Sequence, residues 1–363
     1  MPDAKTRRLL SLDAFRGAVI AGMLVVNNVP WTPATPRQLM HAPWGQGVTF
    51  TDMILPWFVL AMGIAVPQGH AVRGSAWLRL WRIVRRAALL VTFGVLLNSL
   101  EARQLTFNID VLQLLGLSYL VAAALGGLAI AARLAVAGTL LAAHAALLIL
   151  VPVPGSAPGV LQQGHNIIQY LNDTYLTHYH LAGLVSVAPA SALALIGSAA
   201  GEVLRRGVRR EIPAAVAVAV VGLGGLVLAA GGSAWGTVLP LSKPLWTPSY
   251  ALLAGGLGLV LLMLFYVLAD VAGWRVIAAP LAVLGANAIV AYVVPVLFKV
   301  LILDAWHART AAGAFVTLES AIISSLLARL GTVPTLWVYT GIYAALWWLV
   351  LLPLYRARIF VRV

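Results

Sequence analysis

Apolar residues in this chain gather into runs of about 20, the length that crosses a bilayer as a helix, and not into the alternating ten-residue segments of a membrane barrel. The runs predict helices over residues 9–29, 51–70, 87–101, 111–130, 133–153, 184–204, 212–232, 248–271, 277–302 and 335–355. A backbone in hydrocarbon must satisfy its own N–H and C=O groups, so such runs read as transmembrane α-helices. The expected architecture is an all-α, polytopic integral membrane helical bundle of about ten transmembrane helices, one transmembrane domain over residues 1–363. Residues 314–330 are the alternative eleventh span. Their Glu319, three serines and Arg329 suit an outer interfacial or re-entrant helix better.

Composition agrees with this pattern. Hydrophobic residues make up 61% of the 363 and charged residues 10%, so lipid is the solvent for most of the surface. The net charge of +13 changes the picture only through its distribution. The basic residues cluster in short connectors: Lys5, Arg7 and Arg8; Arg73, Arg79, Arg82, Arg85 and Arg86; Arg205, Arg206, Arg209 and Arg210; and Arg356, Arg358 and Arg362. That is the positive-inside pattern of cytoplasmic loops, not a nucleic-acid surface. It puts the N-terminus in the cytoplasm, as an uncleaved first helix, and the loops at about 30–50 and 154–183 outside. Segment 73–86 reads as an interfacial helix. The absence of cysteine excludes disulfides and thiol catalysis.

Candidate chemistry concentrates between Ser11 and Gly63. Here Asp13, Arg16, Asn27, Asn28 and Asp52 occupy helices that should be apolar, and such residues in a membrane mark working sites. The outer loop between the two helices holds His41, rimmed by Trp31, Trp44 and Trp57. An imidazole there takes a proton from an amine or hydroxyl, or carries an acyl group; its bland role is an interfacial hydrogen bond. Asn27 and Asn28 either orient the imidazole and steady an oxyanion or glue helices together. Asp52 is either the N-cap of the second helix or the support of a protonated imidazole. Asp13 and Arg16, three residues apart, can pair on one helix face. Lys243, in a proline-fenced outer turn, suits an anionic substrate group or plain solvation, and Asn287 reads as helix glue or a site residue. His165, Asp173, His178 and His180 match no strong ligand spacing, so no metal is expected, and no phosphate loop, H-E-x-x-H or G-x-S-x-G occurs.

In order along the chain stand Leu12-Asp13-Ala14-Phe15-Arg16-Gly17, Val26-Asn27, His41-Ala42-Pro43-Trp44, Asp52 with Pro56-Trp57-Phe58, and Met62-Gly63. Asn98, Val111-Leu112-Gln113, Lys243-Pro244-Leu245-Trp246-Thr247, Ser249-Tyr250, Gly285-Ala286-Asn287-Ala288 and Tyr355-Arg356-Ala357-Arg358-Ile359-Phe360 follow. Together they resemble the transmembrane acyltransferase family typified by heparan-α-glucosaminide N-acetyltransferase and its bacterial relatives. The resemblance implies acetyl transfer from cytoplasmic acetyl-CoA to an amino-sugar acceptor on the far side of a bacterial inner membrane, by a homodimer. It maps the active histidine onto His41 and its partner asparagine onto Asn27. Asp52 then supports the charged form, and Lys243, Trp246 and Asn287 are assigned to the substrate. Arg16, Arg82, Arg85, Arg86 and Arg275 are candidates for the phosphates of coenzyme A, which guanidinium groups grip in bidentate fashion. The chain departs from the pattern at Ser242, where many relatives carry asparagine, and around Asn172–His180 and Ala182-Gly183-Leu184. The rival readings are a transporter of a sugar or small anion and an O-acyltransferase of a cell-surface glycan.

Overall fold

The structure, a computed structural model, describes residues 9–70, 75–309 and 313–361. Lys5, Arg7, Arg8, Arg73 and Arg362 lie outside the described residues. Within them the chain forms α1 (Leu10–Val26), α2 (Phe50–His70), α3 (Ala76–Ala102), α4 (Val111–Ala124), α5 (Ile130–Leu150), the short α6 (Ile167–Leu171) and α7 (Val187–Val208). After these come α8 (Ala214–Trp235), α9 (Pro248–Phe265), α10 (Arg275–Ala286), α11 (Ala288–Phe298), α12 (Leu318–Leu330) and α13 (Thr332–Arg356). A small antiparallel hairpin, β1 (His307–Arg309) with β2 (Phe315–Thr317), precedes α12.

Among the described residues seven helices are long and apolar enough to cross a membrane: α2, α3, α5, α7, α8, α9 with the π-type turn that follows it, and α13. The pair α10 and α11, bent by 65°, meets the same test of length and apolarity when the two are taken together, as a broken span or a re-entrant loop would. The bend lies at Asn287, whose φ of −122° and ψ of 50° leave the helical region. Every segment expected to be helical is helical, with three differences of length and continuity. First, α3 runs unbroken for 27 residues, so Arg82, Arg85 and Arg86 ride the first half of one long helix, and no separate interfacial helix occurs among the described residues. Its start is set by Ser75, whose hydroxyl accepts from the Leu78 N–H. Second, the span expected over 277–302 is two helices. Third, α1 and α4 are only 17 and 14 residues long. Residues 314–330 form β2 and a 13-residue α12, too short for a crossing.

The interior is built around α1, α2, α7 and α9, while α8 and α3 turn most of their apolar surface outward: 78% of the spanning stretch of α2 is buried against 17% for α8. Small residues set the closest approaches, as expected where lipid supplies no hydrophobic drive between helices. A Cβ at Gly17 of α1 would come within 1.8 Å of the Leu281 carbonyl oxygen of α10. One at Gly63 of α2 would meet the Ala194 carbonyl of α7 at 2.2 Å. The first contact seats α1 against α10; the second seats α2, and with it the residues at its outer end, against α7 in the middle of the bundle.

Candidate active site

The polar centre begins as an ordinary helix start. Thr49-Phe50-Thr51-Asp52 opens α2, and the Asp52 carboxylate reaches back to the Thr49 N–H at 2.9 Å, half of a capping box. Asp52 is thus the third residue of the cap and not the N-cap itself. The same carboxylate does a second job. Its other oxygen lies 2.7 Å from His41 Nδ1, and Oδ2 also accepts from the Ala42 N–H at 3.2 Å. The Thr49 hydroxyl stands 2.6 Å from the Met40 carbonyl and 3.0 Å from Asp52 Oδ2, its single proton serving one at a time. Asp52 is 2% exposed whereas the His41 side chain is 54% exposed. A buried carboxylate therefore holds an open imidazole by Nδ1, which fixes the tautomer and leaves the Nε2 lone pair for chemistry.

Neighbouring contacts hold the loop that carries His41 against this carboxylate. Gln38 accepts from the Phe50 N–H with Oε1 at 2.9 Å and from the Thr51 hydroxyl with its carbonyl at 3.1 Å. Trp44 Nε1 donates to the Leu161 carbonyl at 3.0 Å, tying the loop to the long connector before α7. On the other side Tyr250 of α9 donates from its hydroxyl to the Asp52 backbone carbonyl at 2.5 Å, and Trp57 Nε1 to the Ala254 carbonyl at 2.9 Å.

Lys243 comes from the turn between α8 and α9. That turn is cross-braced by Thr247, whose hydroxyl accepts from the Ser242 N–H and donates to the Pro240 carbonyl. Trp246 takes a left-handed φ of 48°, a strained conformation for a bulky residue, and stacks edge-on against Tyr250. Lys243 Nζ lies 3.2 Å from His41 Nδ1, 3.4 Å from Nε2 and 3.9 Å from Asp52 Oδ1. Burial pushes the Lys243 ammonium below the usual lysine range, and the Asp52 and Asp110 carboxylates pull against that shift.

Two cavities meet at His41. The first, about 390 Å³, is bordered by His41, Asp52, Lys243 and Asp110 over an apolar floor that includes Leu55, Leu114 and Trp246. The second, about 470 Å³, is more polar: His41 and Asp110 border it again, with Asn27, Glu101, Lys299 and Asp304. Of the residues singled out from sequence, His41, Asp52, Lys243 and Trp246 come together in the first cavity and Asn27 lies across the second. The group bonded to the imidazole is Asp52; Asn27 lines the cavity without a hydrogen bond to His41. Asn28 borders the same cavity and donates from Nδ2 to the Leu24 carbonyl at 2.9 Å.

Asn287 is not brought to the site. It is fully buried at the α10–α11 bend, with Nδ2 donating to the Ile359 carbonyl at 3.0 Å and Oδ1 accepting from the Val361 N–H at 2.8 Å, so its carboxamide serves the C-terminal segment. The five arginines line neither cavity. Arg16 donates to the Ala61 carbonyl at 3.4 Å, Arg82 to the Leu78 carbonyl at 3.0 Å, and Arg86 lies 4.6 Å from the centre of the Tyr119 ring. Arg85 and Arg275 are exposed. Reading the sequence missed Asp110, Thr49 and Lys299. Thr49 was announced by the T-x-x-D spacing. Asp110 carried only the weak signal of an acidic residue before an apolar helix, and Lys299 had none.

The structure is thus a bundle of apolar, span-length helices in which a buried carboxylate holds an exposed histidine between two cavities. Comparison with known sequences gives the particular kind: residues 8–227 match the catalytic region of heparan-alpha-glucosaminide N-acetyltransferase, and the chain belongs to that family of transmembrane acyltransferases. Heparan-alpha-glucosaminide N-acetyltransferase of Mus musculus is 25% identical over 357 residues, covering 80% of this chain and 53% of the mouse protein. The human protein of the same name is 32% identical over 128 residues, which is 32% of this chain and 19% of the human one. The chain thus spans about half the length of the mouse relative. No group of three or more metal-ligating side chains occurs among the described residues.

Proposed function

We propose that this protein transfers an acetyl group from acetyl-CoA to the amine of a glucosamine-type sugar across a membrane, with His41 as the reacting base or transient acetyl carrier. The observation that carries this reading is the 2.7 Å Asp52–His41 pair, because it takes up Nδ1 and leaves Nε2, with Lys243 Nζ 3.4 Å away, as the ring nitrogen for chemistry between the two cavities. A donor arm with little charge suits the cavity floored by leucines and Trp246. A hydroxylated acceptor with a neutral amine suits the one edged by Asn27, Glu101 and Asp304. As the acceptor nitrogen bonds to the acetyl carbon, Nε2 takes its proton, the C–S bond breaks and the thiolate recovers a proton. Asp52 holds the imidazolium formed on the way. Asn27 is assigned to the acceptor and to the developing oxyanion. Lys243 and Trp246 are assigned to substrate contact on the first cavity.

Coenzyme A phosphates would stay at the cytoplasmic mouth on some of Arg16, Arg82, Arg85, Arg86 and Arg275, a reading supported by the sequence charge pattern and by the free surface of Arg85 and Arg275. The same pattern supports a cytoplasmic N-terminus and ten crossings, counting the short α1 and α4 and taking α10–α11 as one. The family resemblance supports a homodimer in a bacterial inner membrane. The test is purified protein in lipid nanodiscs with labelled acetyl-CoA and a panel of amino sugars. Acceptor-dependent release of free coenzyme A with a labelled N-acetyl product is expected. Uptake of label into proteoliposomes without any acetylated product would leave the transporter reading standing instead, and label on a sugar hydroxyl the O-acyltransferase.

A further inference from the structure

We propose that Lys243 is a further catalytic residue, the cation that takes the negative charge of the acyl carbonyl oxygen while His41 Nε2 takes the proton; this rests on the acetyl-transfer reading above. The geometry comes from two distances. Nζ is nearly equidistant from the two ring nitrogens, 3.2 Å from Nδ1 and 3.4 Å from Nε2. In the plane of the ring those distances would drive Nζ into the Cε1 atom between them, so the ammonium sits over the imidazole face. It is therefore beside the Nε2 lone pair without occupying it. Base and cation present themselves to the first cavity from nearly the same point, about one reacting group apart, as an oxyanion site beside a base requires.

Its surroundings keep the ammonium where it would be used. The Lys243 side chain is 26% exposed, and its turn is fixed by the Thr247 braces and by Trp246, whose N–H donates to the Lys243 carbonyl at 3.0 Å. Asp52 is 3.9 Å away, too far for a tight ion pair, and its oxygens already accept from His41, Ala42 and Thr49. The charge of Lys243 is held in place but left available. In the reaction the amine nitrogen bonds to the carbonyl carbon and the carbonyl electron pair moves onto oxygen beside Nζ. The amine proton goes to Nε2. Collapse then restores the C=O, breaks the C–S bond and returns the proton to the departing thiolate, and Lys243 keeps its own protons throughout.

The chain has no cysteine, so Lys243→Cys creates a unique thiol. Reaction with 2-bromoethylamine rebuilds an ammonium of nearly lysine length, and iodoacetamide gives a neutral arm. With acetyl-CoA and glucosamine, Lys243→Cys should lose about 100-fold or more in kcat, the usual cost of removing one oxyanion donor, with KM values altered less than about threefold. Aminoethylation should restore at least a tenth of wild-type kcat and iodoacetamide should restore none. In Lys243→Arg, which retains a cation, the alkaline limb of kcat should move to higher pH, because the guanidinium stays charged where an ammonium buried beside His41, Asp52 and Asp110 gives up its proton. Equal rescue by both reagents, or kcat within threefold of wild type in unmodified Lys243→Cys, would overturn the proposal. If Lys243→Cys is not monodisperse, Lys243→Arg and Lys243→Gln decide it on the same criteria. A wild-type protein that acetylates no amine would remove the acetyl-transfer reading and this role together, an outcome separable from a silent Lys243 in an active enzyme.

Discussion

At the start of α2, Asp52 is 2% exposed; at the bend between α10 and α11, Asn287 is 0% exposed. Both are polar residues inside a bundle that lipid surrounds, and both sit at a helix end where backbone groups need partners. They differ in what they have left over. Both halves of the Asn287 carboxamide are consumed by Ile359 and Val361, and the residue ends as a clamp. Asp52 satisfies its helix cap with one oxygen and still holds an imidazole that opens onto two cavities. Burial in a membrane marks a polar residue as costly. A partner that remains exposed to a cavity is what makes it a candidate for chemistry.

That contrast can be broken at either end. The largest effect expected is from His41→Ala, which should abolish acetyl transfer while leaving the size-exclusion profile and thermal midpoint near wild type, since the side chain is half exposed and belongs to no packed core; retained turnover would end its assignment as the reacting group. Asp52→Asn keeps the cap's reach but changes the charge and the tautomer it selects, and should lower kcat by about 10²–10⁴-fold, measured by coenzyme A release. Asn27→Ala, which removes a cavity residue not bonded to the imidazole, should cost less than Asp52→Asn and fall mainly on the acceptor's KM. A loss equal to that of His41→Ala would instead make Asn27 the essential partner. Asn287→Ala should leave kcat within about twofold yet destabilise the fold by about 1–3 kcal/mol, because the two hydrogen bonds from the buried carboxamide to the C-terminal segment are lost; a thermal melt in detergent reads this. Loss of turnover in a stable Asn287→Ala protein would erase the distinction between clamp and site.

Much of this contrast was already visible along the chain. His41, Asp52, Lys243 and Trp246 stand out as polar or aromatic residues in the wrong solvent or in a fenced turn, and they do meet in space. Asn287 gave the same signal and went elsewhere, because a lone carboxamide in an apolar run looks alike whether it faces a cavity or a chain terminus. Asp110 went unseen for the opposite reason: in a loop, an acidic residue costs nothing and so attracts no notice, although it edges both cavities. The arginines at the start of α3 read as an interfacial helix because a charged stretch interrupts hydropathy, whereas helix continuity depends on backbone hydrogen bonds that arginine does not break.

The sequence by itself determined that the solvent is lipid, that the backbone is helical, and which polar residues are out of place, since these follow from composition and the need to satisfy every backbone group in hydrocarbon. It also determined the family, through motifs kept in order. Tertiary structure alone decided which out-of-place residues meet. Lys243 is 202 positions from His41 and Tyr250 is 198 from Asp52, separations over which no spacing rule acts. Only the packing of α2 against α7 and α9, set by small residues such as Gly63, brings the α8–α9 turn over the imidazole.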